Sequence, residues 1–286
     1  MSFKTLAAAI VLLFCALPPH AAQAPAPSPG AVETVRAYNA RPFGSPGWRR
    51  IKLELRSRGI VTRTFDILHL WRRQADEIRS LVLLEGPVNL RGTNYLLVEN
   101  ARKPEAGMSL SLFLPSGKRR VLTIKPSRFD EGLLGSDFSY SDLQWMIPIP
   151  EANLRAAGTA RMSGRTVQVI DGRPADRETS SWVRIRFYIA RDPLILLGAD
   201  YFREGVPEPF KRLRIERFKQ VGGVWTPTRM VMSLARNRSS RLDLEEVGFG
   251  NARYRDDFFN QENLPGYGDR LLSGQSVVEL PPGVRP

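Results

Sequence analysis

The chain has 286 residues, with 42 Lys or Arg against 29 Asp or Glu, a formal net charge of +13 and a single cysteine. A positive charge of this size favours anionic membranes or acidic partners, although only 7 of the 42 basic residues are lysines and an arginine excess also follows from a GC-rich genome. The basic-aromatic motifs and recognition-helix patterns of nucleic-acid-binding proteins are missing, so nucleic acid is not an expected partner.

Residues 1–24 have the pattern of a secretory signal peptide. Lys4 precedes an apolar run from Leu6 to Leu17, and small residues follow as far as Ala24. The apolar run is too short to span a bilayer comfortably, and no second run follows it. We therefore expect cleavage between residues 22 and 26 and a soluble mature protein in the periplasm.

The only cysteine, Cys15, lies inside this predicted signal peptide. A lipid-modified N-terminus needs small residues before the cysteine and an apolar run that ends there, whereas Phe14 precedes Cys15 and the run continues past it. Cleavage also removes His20 and leaves His69 as the one histidine. The mature chain is therefore predicted to have no disulfide, no metal site and no cofactor.

The residues after the signal predict a short leader and one helix. Residues 25–30, PAPSPG, are rich in proline and are expected to be extended or disordered. Residues 31–40 have apolar side chains at helical spacing, which predicts a short amphipathic helix.

From residue 50 the pattern alternates with a period of two, as in a strand buried on one side. Ile51, Leu53 and Leu55 share one face, and charged residues occupy the other. A glycine-containing turn leads to residues 61–71, where Phe65 lies on the apolar face. These two segments predict a β-hairpin.

Similar segments continue to residue 250, separated by prolines and glycines. Short helices are predicted in the stretch before residue 165. The further strands predicted are residues 80–87, 93–100, 108–117, 118–124, 165–174, 182–191, 210–220, 224–235 and 240–250. About eleven antiparallel strands and few helices predict a mainly β fold, a strongly curved sheet that forms a half-open barrel. We expect a single domain from residue 31 to 286, with an irregular tail from about 265.

A large sheet with one apolar face has to cover that face. The sheet either closes on its own side chains as a filled core, or keeps a cavity lined with leucine, phenylalanine and methionine under the helices. Periodicity leaves both alternatives open.

Catalytic motifs are not found in the sequence. It has no nucleophile elbow, P-loop, zinc-protease motif or dinucleotide fingerprint. His69 falls on the apolar strand face, where a histidine is typically packed or hydrogen-bonded. An acid pair such as Asp137 and Asp142 could in principle support glycosidase-like chemistry, so an enzyme stays a third interpretation.

The segment GSDFSYSDL, residues 135–143, contains an S-x-x-D capping box. Ser139 and Asp142 have the spacing at which side-chain oxygens satisfy the free amides of a helix's first turn. Phe138 and Tyr140 can anchor such a helix to the sheet. The pattern predicts a docked short helix that acts as a lid or a corner, with no role in bond breaking.

The same segment resembles the G-S-D-F-S-Y-E-D-L signature of the outer membrane lipoprotein-sorting group, the LolA-like periplasmic proteins. From about residue 31 to 264, further segments resemble that family in the same order: RGTNYLLVEN, MSLSLFLPSGKRRVLTI, VIDGRP, WTPTRMVM and RLDLEEVGFG. Ser141 stands where the family has glutamate, and Ser109 and Ser111 stand where aromatic residues are usual. The ligand preference of relatives is therefore not carried over.

The resemblance implies a half-barrel of about eleven antiparallel strands under helices, a non-catalytic carrier with chaperone character that binds lipoprotein acyl chains or other lipids. It also implies a role in outer-membrane sorting, with an RND- or MMPL-type transporter in the inner membrane and an acceptor in the outer membrane as partners. The signature residues that would form its lid are Gly135, Ser136, Asp137, Phe138, Ser139, Tyr140, Asp142 and Leu143.

We expect the lipid to contact the apolar face of the early strands and two methionines of a late strand, because a thioether side chain adapts to variable chains. The residues expected to line the cavity are Leu53, Leu55, Phe65, Ile67, Leu83, Leu97, Leu112, Met230 and Met232. The alternative is a filled-barrel interaction protein, in which these are ordinary core residues. It would dock to an anionic membrane or a transporter through Arg184, Arg186, Arg212 and Arg214.

Overall fold

The structure is a computed structural model, and it describes residues 29–100, 108–116, 119–142, 149, 151, 153–174, 180–234, 237–250 and 254–278. The predicted signal peptide with Cys15 and His20, most of the proline-rich leader, and Leu143 lie outside the described residues. None of the helices in the described ranges is long and apolar enough to cross a membrane.

One antiparallel sheet of thirteen strands forms the body of the described chain. Its strands are β1 (Gly47–Ser57), β2 (Ile60–Gln74), β3 (Glu77–Gly86), β4 (Asn94–Asn100), β5 (Met108–Phe113), β6 (Val121–Ile124), β7 (Arg155–Met162), β8 (Arg165–Gly172), β9 (Arg184–Arg191), β10 (Leu194–Phe202), β11 (Lys211–Val221), β12 (Val224–Leu234) and β13 (Arg238–Phe249). The predicted fold class is confirmed, with two strands more than the eleven expected.

The sheet consists of two meanders that meet at its centre. Its strand order is β6-β5-β4-β3-β2-β1-β13-β12-β11-β10-β9-β8-β7, so β1 pairs with β13 and the edges are β6 and β7. The connection between these two edge strands covers residues 125–154, of which residues 125–142, 149, 151 and 153–154 are described. The GSDFSYSDL segment lies in this connection.

Contacts of the connection show that the sheet curls. The Tyr140 ring lies 6.1 Å from the ring of Tyr95 on β4, while Asp142 pairs with Lys211 on β11. In a flat sheet β4 and β11 would lie roughly 29 Å apart, at about 4.8 Å per strand. Two residues of chain span only about 7 Å. The two halves of the sheet therefore face each other across a concave side, called the inner face here.

The two strands that sequence analysis missed have weak alternation. β7 carries mostly alanine, arginine and a glycine on an exposed edge, so it has no apolar period to detect. β10, LILLGADYF, is buried on both faces over most of its length, which removes the polar half of the pattern. The short helices predicted before residue 165 are wrong for residues 155–162, which form β7.

The helix predicted at residues 31–40 is confirmed as α1 (Pro29–Ala40). It begins at Pro29, inside the predicted leader. Proline is favoured in the first helical turn because it has no backbone N–H, and an N–H there would have no partner within the helix. Val35 and Tyr38 are buried against β8 and β9.

The segment predicted as an irregular tail from about residue 265 contains a second helix, α2 (Leu264–Leu272), in its described part. Two glycines in LPGYGDRLL disfavour an isolated helix, but Leu264 and Leu271 are buried against the sheet, and such packing stabilises short helices. Gly268 is needed for close approach, since a Cβ there would lie 2.5 Å from the Phe113 ring.

The sheet buries apolar side chains on both sides. The inner face carries the largest cluster, drawn from β1 to β6 and β10 to β13. On the opposite, outer face, residues of β1 to β5 pack against the segment 254–278, which contains α2 and is called the outer cap. The curl and the described part of the connection from β6 to β7 make the inner face a candidate ligand site.

Candidate functional site

Eight of the nine residues predicted to line a cavity lie on the inner face, seven in its buried cluster and Leu55 packed half-buried against it. Strict alternation on β1 and β2 correctly assigned the faces there, because every second side chain points to the same side of a strand. These eight residues are Leu53, Leu55, Phe65, Ile67, Leu97, Leu112, Met230 and Met232.

Leu83 is the exception, and its assignment to the cavity is corrected. It is fully buried in the outer-face cluster, next to Leu81 and under the outer cap. The segment LVLL on β3 is apolar on both faces, so its alternation carries no information about which residues point inward. Val82 and Leu84 are the inner-face residues of this strand.

An irregular segment, residues 129–142, covers part of the inner face and is called the lid segment here. It contains a 3₁₀ turn at Leu133–Gly135 and an isolated bridge between Gly132 and Ser139. Leu133, Phe138 and Tyr140 are buried in the inner-face cluster. The predicted role of Phe138 and Tyr140 as anchors to the sheet is confirmed.

The predicted capping box is only half formed. The backbone N–H of Ser139 donates to Asp142 Oδ2 at 2.6 Å, and the Ser139 hydroxyl donates to the same oxygen at 2.7 Å. Residues 141–142 have 3₁₀ geometry, and residues 143–148 lie outside the described residues, so the docked short helix stays a prediction. The Asp142 carboxylate is also bound to the sheet.

The first attachment, called the Asp142 latch, joins the lid segment to β10 and β11. Lys211, with 2% of its surface exposed, forms an ion pair with Asp142 Oδ2 and donates to the Ser139 hydroxyl at 3.1 Å. The Tyr201 hydroxyl donates to Asp142 Oδ1 at 3.1 Å. Burial, and then the Asp142 charge, raise the pKa of Tyr201 well above its usual value, so it remains a donor.

The second attachment, called the Asp137 latch, joins the lid segment to β13. The Asp137 backbone N–H donates to the Ser240 hydroxyl at 2.9 Å, and that hydroxyl donates to Asp137 Oδ2 at 2.8 Å. The Arg238 guanidinium lies 3.4 Å from Asp137 Oδ1. Asp137 and Asp142 thus bind two different partners, which identifies them as lid attachments.

Described residues line two small cavities on the inner face. One, of about 30 Å³, lies between the lid segment and the sheet; Leu53, Ile67 and Leu97 from the predicted set line it. The other, of about 70 Å³, lies between the end of α1 and β11–β12, and Met230 lines it. A volume of about 30 Å³ has room for only about two water molecules, since one water molecule needs about 10–15 Å³ on this scale.

A buried pair of side chains that sequence analysis missed lies on this face. The Arg49 Nε–H donates to His69 Nδ1 at 2.9 Å, and both residues are at least 95% buried. The expectation that His69 is hydrogen-bonded is therefore confirmed. Arg49 occupies an odd position on β1, like Ile51 and Leu53, so alternation was the signal that could have placed it inside.

Burial sets the charge states of this pair. Desolvation, followed by the charge of Arg49, lowers the pKa of His69 well below its usual value, so His69 is neutral at pH 7. Desolvation lowers the pKa of Arg49 to about 9, which leaves the guanidinium charged. Within the described ranges, no group of three or more His, Cys, Asp or Glu side chains could hold a metal ion.

The arginines proposed as a docking face have acidic partners. Arg184 and Arg186 both bind Asp171, at 3.1 and 2.7 Å, and Arg214 binds Asp200 at 2.7 Å. Arg212 lies 3.6 Å from Glu208. These pairs reduce the positive charge that this part of the sheet presents to a membrane.

Comparisons with known proteins agree with this architecture. A family model described as an uncharacterized protein matches residues 76–265, about two thirds of the chain. None of the curated proteins is detectably similar in sequence.

Several solved structures share the fold. A DUF1329 family protein from Desulfovibrio piger has a TM-score of 0.75 and 19% identity, over 82% of this chain and 98% of the other. An outer membrane lipoprotein-sorting protein domain from Vibrio parahaemolyticus has a TM-score of 0.73 and 18% identity, over the same shares. A LolA superfamily protein from Nitrosomonas europaea has a TM-score of 0.60 and 15% identity, over 81% and 98%.

Proposed function

We propose that this chain, which belongs to the family whose model matches residues 76–265 and shares the fold of LolA-like proteins, is a periplasmic, non-catalytic carrier of lipoprotein acyl chains or other lipids. The lipid would bind on the inner face, under the lid segment. A similarity of fold to an outer membrane lipoprotein-sorting protein domain supports this role, as does the predicted signal peptide.

One observation carries the proposal: an extensive apolar inner face lies partly under a cover that is attached by polar latches as well as by buried apolar side chains. The Asp142 and Asp137 latches consist of hydrogen bonds and ion pairs. Water can replace such partners when the lid segment moves away, so opening costs less than separating an equal number of packed apolar side chains. A cover of this kind suits a face that is exposed to a ligand in each cycle.

The energetics also suit a carrier. Each methylene group moved from water into an apolar site is stabilised by about 0.8 kcal/mol, so a chain of about fifteen methylenes gains on the order of 10 kcal/mol before ordering costs. A cavity of about 30 Å³ cannot hold such a chain. Loading therefore requires the lid segment to leave the sheet, and the bound chain takes its place.

Release of the bound acyl chain determines what kind of acceptor the protein needs. Transfer of the chain back into water would cost the same free energy, so the acceptor has to offer an equally apolar site. An inner-membrane transporter of the RND or MMPL type as donor, and an outer-membrane protein as acceptor, fit this requirement.

The test is native mass spectrometry of the protein purified from its own periplasm, with lipid extraction of the same sample. A bound apolar species of defined mass supports the proposal and names the cargo. Two adjacent residues give matched variants: Val82→Phe fills the inner cavity, whereas Leu83→Phe makes the same kind of change on the outer face. We expect Val82→Phe to lose the lipid and Leu83→Phe to retain it.

A second candidate function is favoured by the small cavity volume. In a filled barrel, the inner face is an ordinary core, and the protein acts by docking to an anionic membrane or a transporter. The pairing of Arg184, Arg186 and Arg214 with carboxylates weighs against the proposed docking face. Bare protein in the mass spectrum, together with no binding of a fluorescent fatty acid, would overturn the carrier function and make this alternative the next to test.

A further inference from the structure

We propose that the side chain of His69 donates a hydrogen bond to the carbonyl oxygen of an esterified or amide-linked acyl chain bound on the inner face. This inference rests on the proposed carrier function and names the part of the ligand that the site recognises. It gives the binding face a polar anchor among mostly aliphatic wall residues.

The position of His69 makes it accessible to such a ligand. The residue lies on β2 with 5% of its surface exposed, and its ring forms part of the wall of the cavity under the lid segment. The neighbouring wall residues are mostly aliphatic, among them Ile51, Ile67 and Val82. A chain that replaces the lid segment on this face therefore passes the imidazole.

The hydrogen bond from Arg49 determines the tautomer of His69. The Arg49 Nε always carries a proton, so at 2.9 Å it donates and His69 Nδ1 accepts. Since the low pKa of His69 keeps the ring neutral, its single proton has to lie on Nε2. Nε2–H is therefore a donor, and no protein group among the described residues accepts its hydrogen bond.

A buried donor without an acceptor is costly, and native proteins keep few of them. A ligand oxygen at Nε2 would remove that cost, and a hydrocarbon would not. The adjacent Arg49 guanidinium strengthens the donor, because its charge favours electron-rich groups nearby. An ester or amide carbonyl suits this site better than a free carboxylate, since an aliphatic wall solvates an anion poorly and Asp142 contributes to the same cavity.

The experiment compares three ligands of similar length: methyl laurate, lauric acid and tridecane. Each displaces a fluorescent apolar dye from the mature protein, and the dissociation constants are compared with those of His69→Phe. We expect wild type to bind the ester about tenfold more tightly than tridecane, the factor typical of one hydrogen bond. In His69→Phe this difference disappears while tridecane binding is unchanged.

Leu97→Met serves as the matched control, because it alters the same cavity wall while conserving volume. It should change the affinities for the ester and for tridecane by the same factor. A ¹⁵N spectrum of the wild-type imidazole gives a readout that does not depend on the stability of a variant. The Nε2 signal should shift with methyl laurate and not with tridecane.

The outcomes separate the two proposals. Equal affinity of wild type for methyl laurate and tridecane, with no Nε2 shift, overturns the role of His69 and leaves the carrier function intact. Tighter binding of lauric acid than of the ester overturns the preference for an uncharged carbonyl. If none of the three ligands displaces the dye, the carrier function fails, and this inference fails with it.

Discussion

The two covers of the sheet bury apolar faces by different means. On the outer face, the outer cap packs aromatic rings and leucines, with Phe259 and Leu264 at 1% and 0% exposure. The Phe259 ring lies 5.1 and 5.2 Å from those of Tyr254 and Phe258. On the inner face, the lid segment buries three apolar side chains, and polar latches hold its acidic residues.

The difference between the two covers indicates which of them stays attached to the sheet. Water offers apolar side chains no favourable substitute for their packing, so the outer cap is expected to stay in place until the protein unfolds. The groups of the latches can be solvated one by one once the lid segment lifts. We therefore expect the outer cap to detach only when the whole protein unfolds, and the lid segment to open locally. The variants below separate these two processes.

The largest effect is expected from Phe259→Ala in the outer cap. Removing a fully buried ring leaves a cavity and should lower the free energy of unfolding by about 4 kcal/mol. Denaturant titration measures this loss, with Val206→Ala as a control at a side chain 43% exposed. A loss below about 1 kcal/mol would mean that the outer cap is as easily detached as the lid segment.

Asp142→Asn should have the next largest effect. It should lower the free energy of opening the lid segment by about 3 kcal/mol, because it leaves the buried Lys211 ammonium without its counter-charge. We expect local opening: exchange of the Leu133 and Tyr140 amides speeds up about a hundredfold by hydrogen–deuterium measurement, while amides of the outer cap do not change. The double variant Asp142→Leu/Lys211→Met, which removes both charges, should restore slow exchange. Equal acceleration on both faces would contradict the division into two covers.

The free energy of unfolding is expected to depend on pH through His69, which lies on the inner face. Its pKa in the folded state is lowered, so below pH 6.5 the unfolded chain binds a proton that the folded chain does not. The free energy of unfolding should therefore fall as the pH falls from 6.5, by at most about 1.4 kcal/mol per pH unit. His69→Phe should lack this slope between pH 6.5 and 5.5. The same slope in both proteins would assign it to other groups.

The smallest effect is expected at the exposed ion pair that joins α2 to Arg119. Arg119 and Asp269 are 49% and 54% exposed, so solvent screens their attraction. Asp269→Asn should change the free energy of unfolding by less than about 0.5 kcal/mol in a thermal melt. A larger change would show that this exposed pair adds to the buried polar contacts of the outer cap, such as the hydrogen bonds from Asn94 to Leu264 and from Tyr254 to Gly47.

The inner-face residues of β1, β2 and β12 could be predicted, because alternation is a local property of each strand. Eight of nine candidates were placed on the correct face. Leu83 was misplaced because LVLL on β3 is buried on both sides. The helix α2 was missed because its two glycines disfavour a helix in the sequence pattern. Its stability comes from packing on the outer face, which the sequence pattern does not show.

The attachments of the motif could not be read from its residues. Ser139 and Asp142 have capping spacing, and their hydrogen bonds exist, but Asp142 binds Lys211, which lies 69 positions further along the chain. Nothing within GSDFSYSDL specifies that partner. The same holds for Asp137 and Ser240, which are 103 positions apart.

The sequence by itself determined the antiparallel sheet, the α1 helix and the face on which most apolar side chains lie. These features follow from periodicity, which depends on the backbone geometry of neighbouring residues. Tertiary structure alone decided how the edges β6 and β7 are connected across the inner face, which strands receive the acids of the lid segment, and that His69 meets Arg49. Those contacts depend on the curl of the whole sheet, which brings together strands that are far apart in the chain.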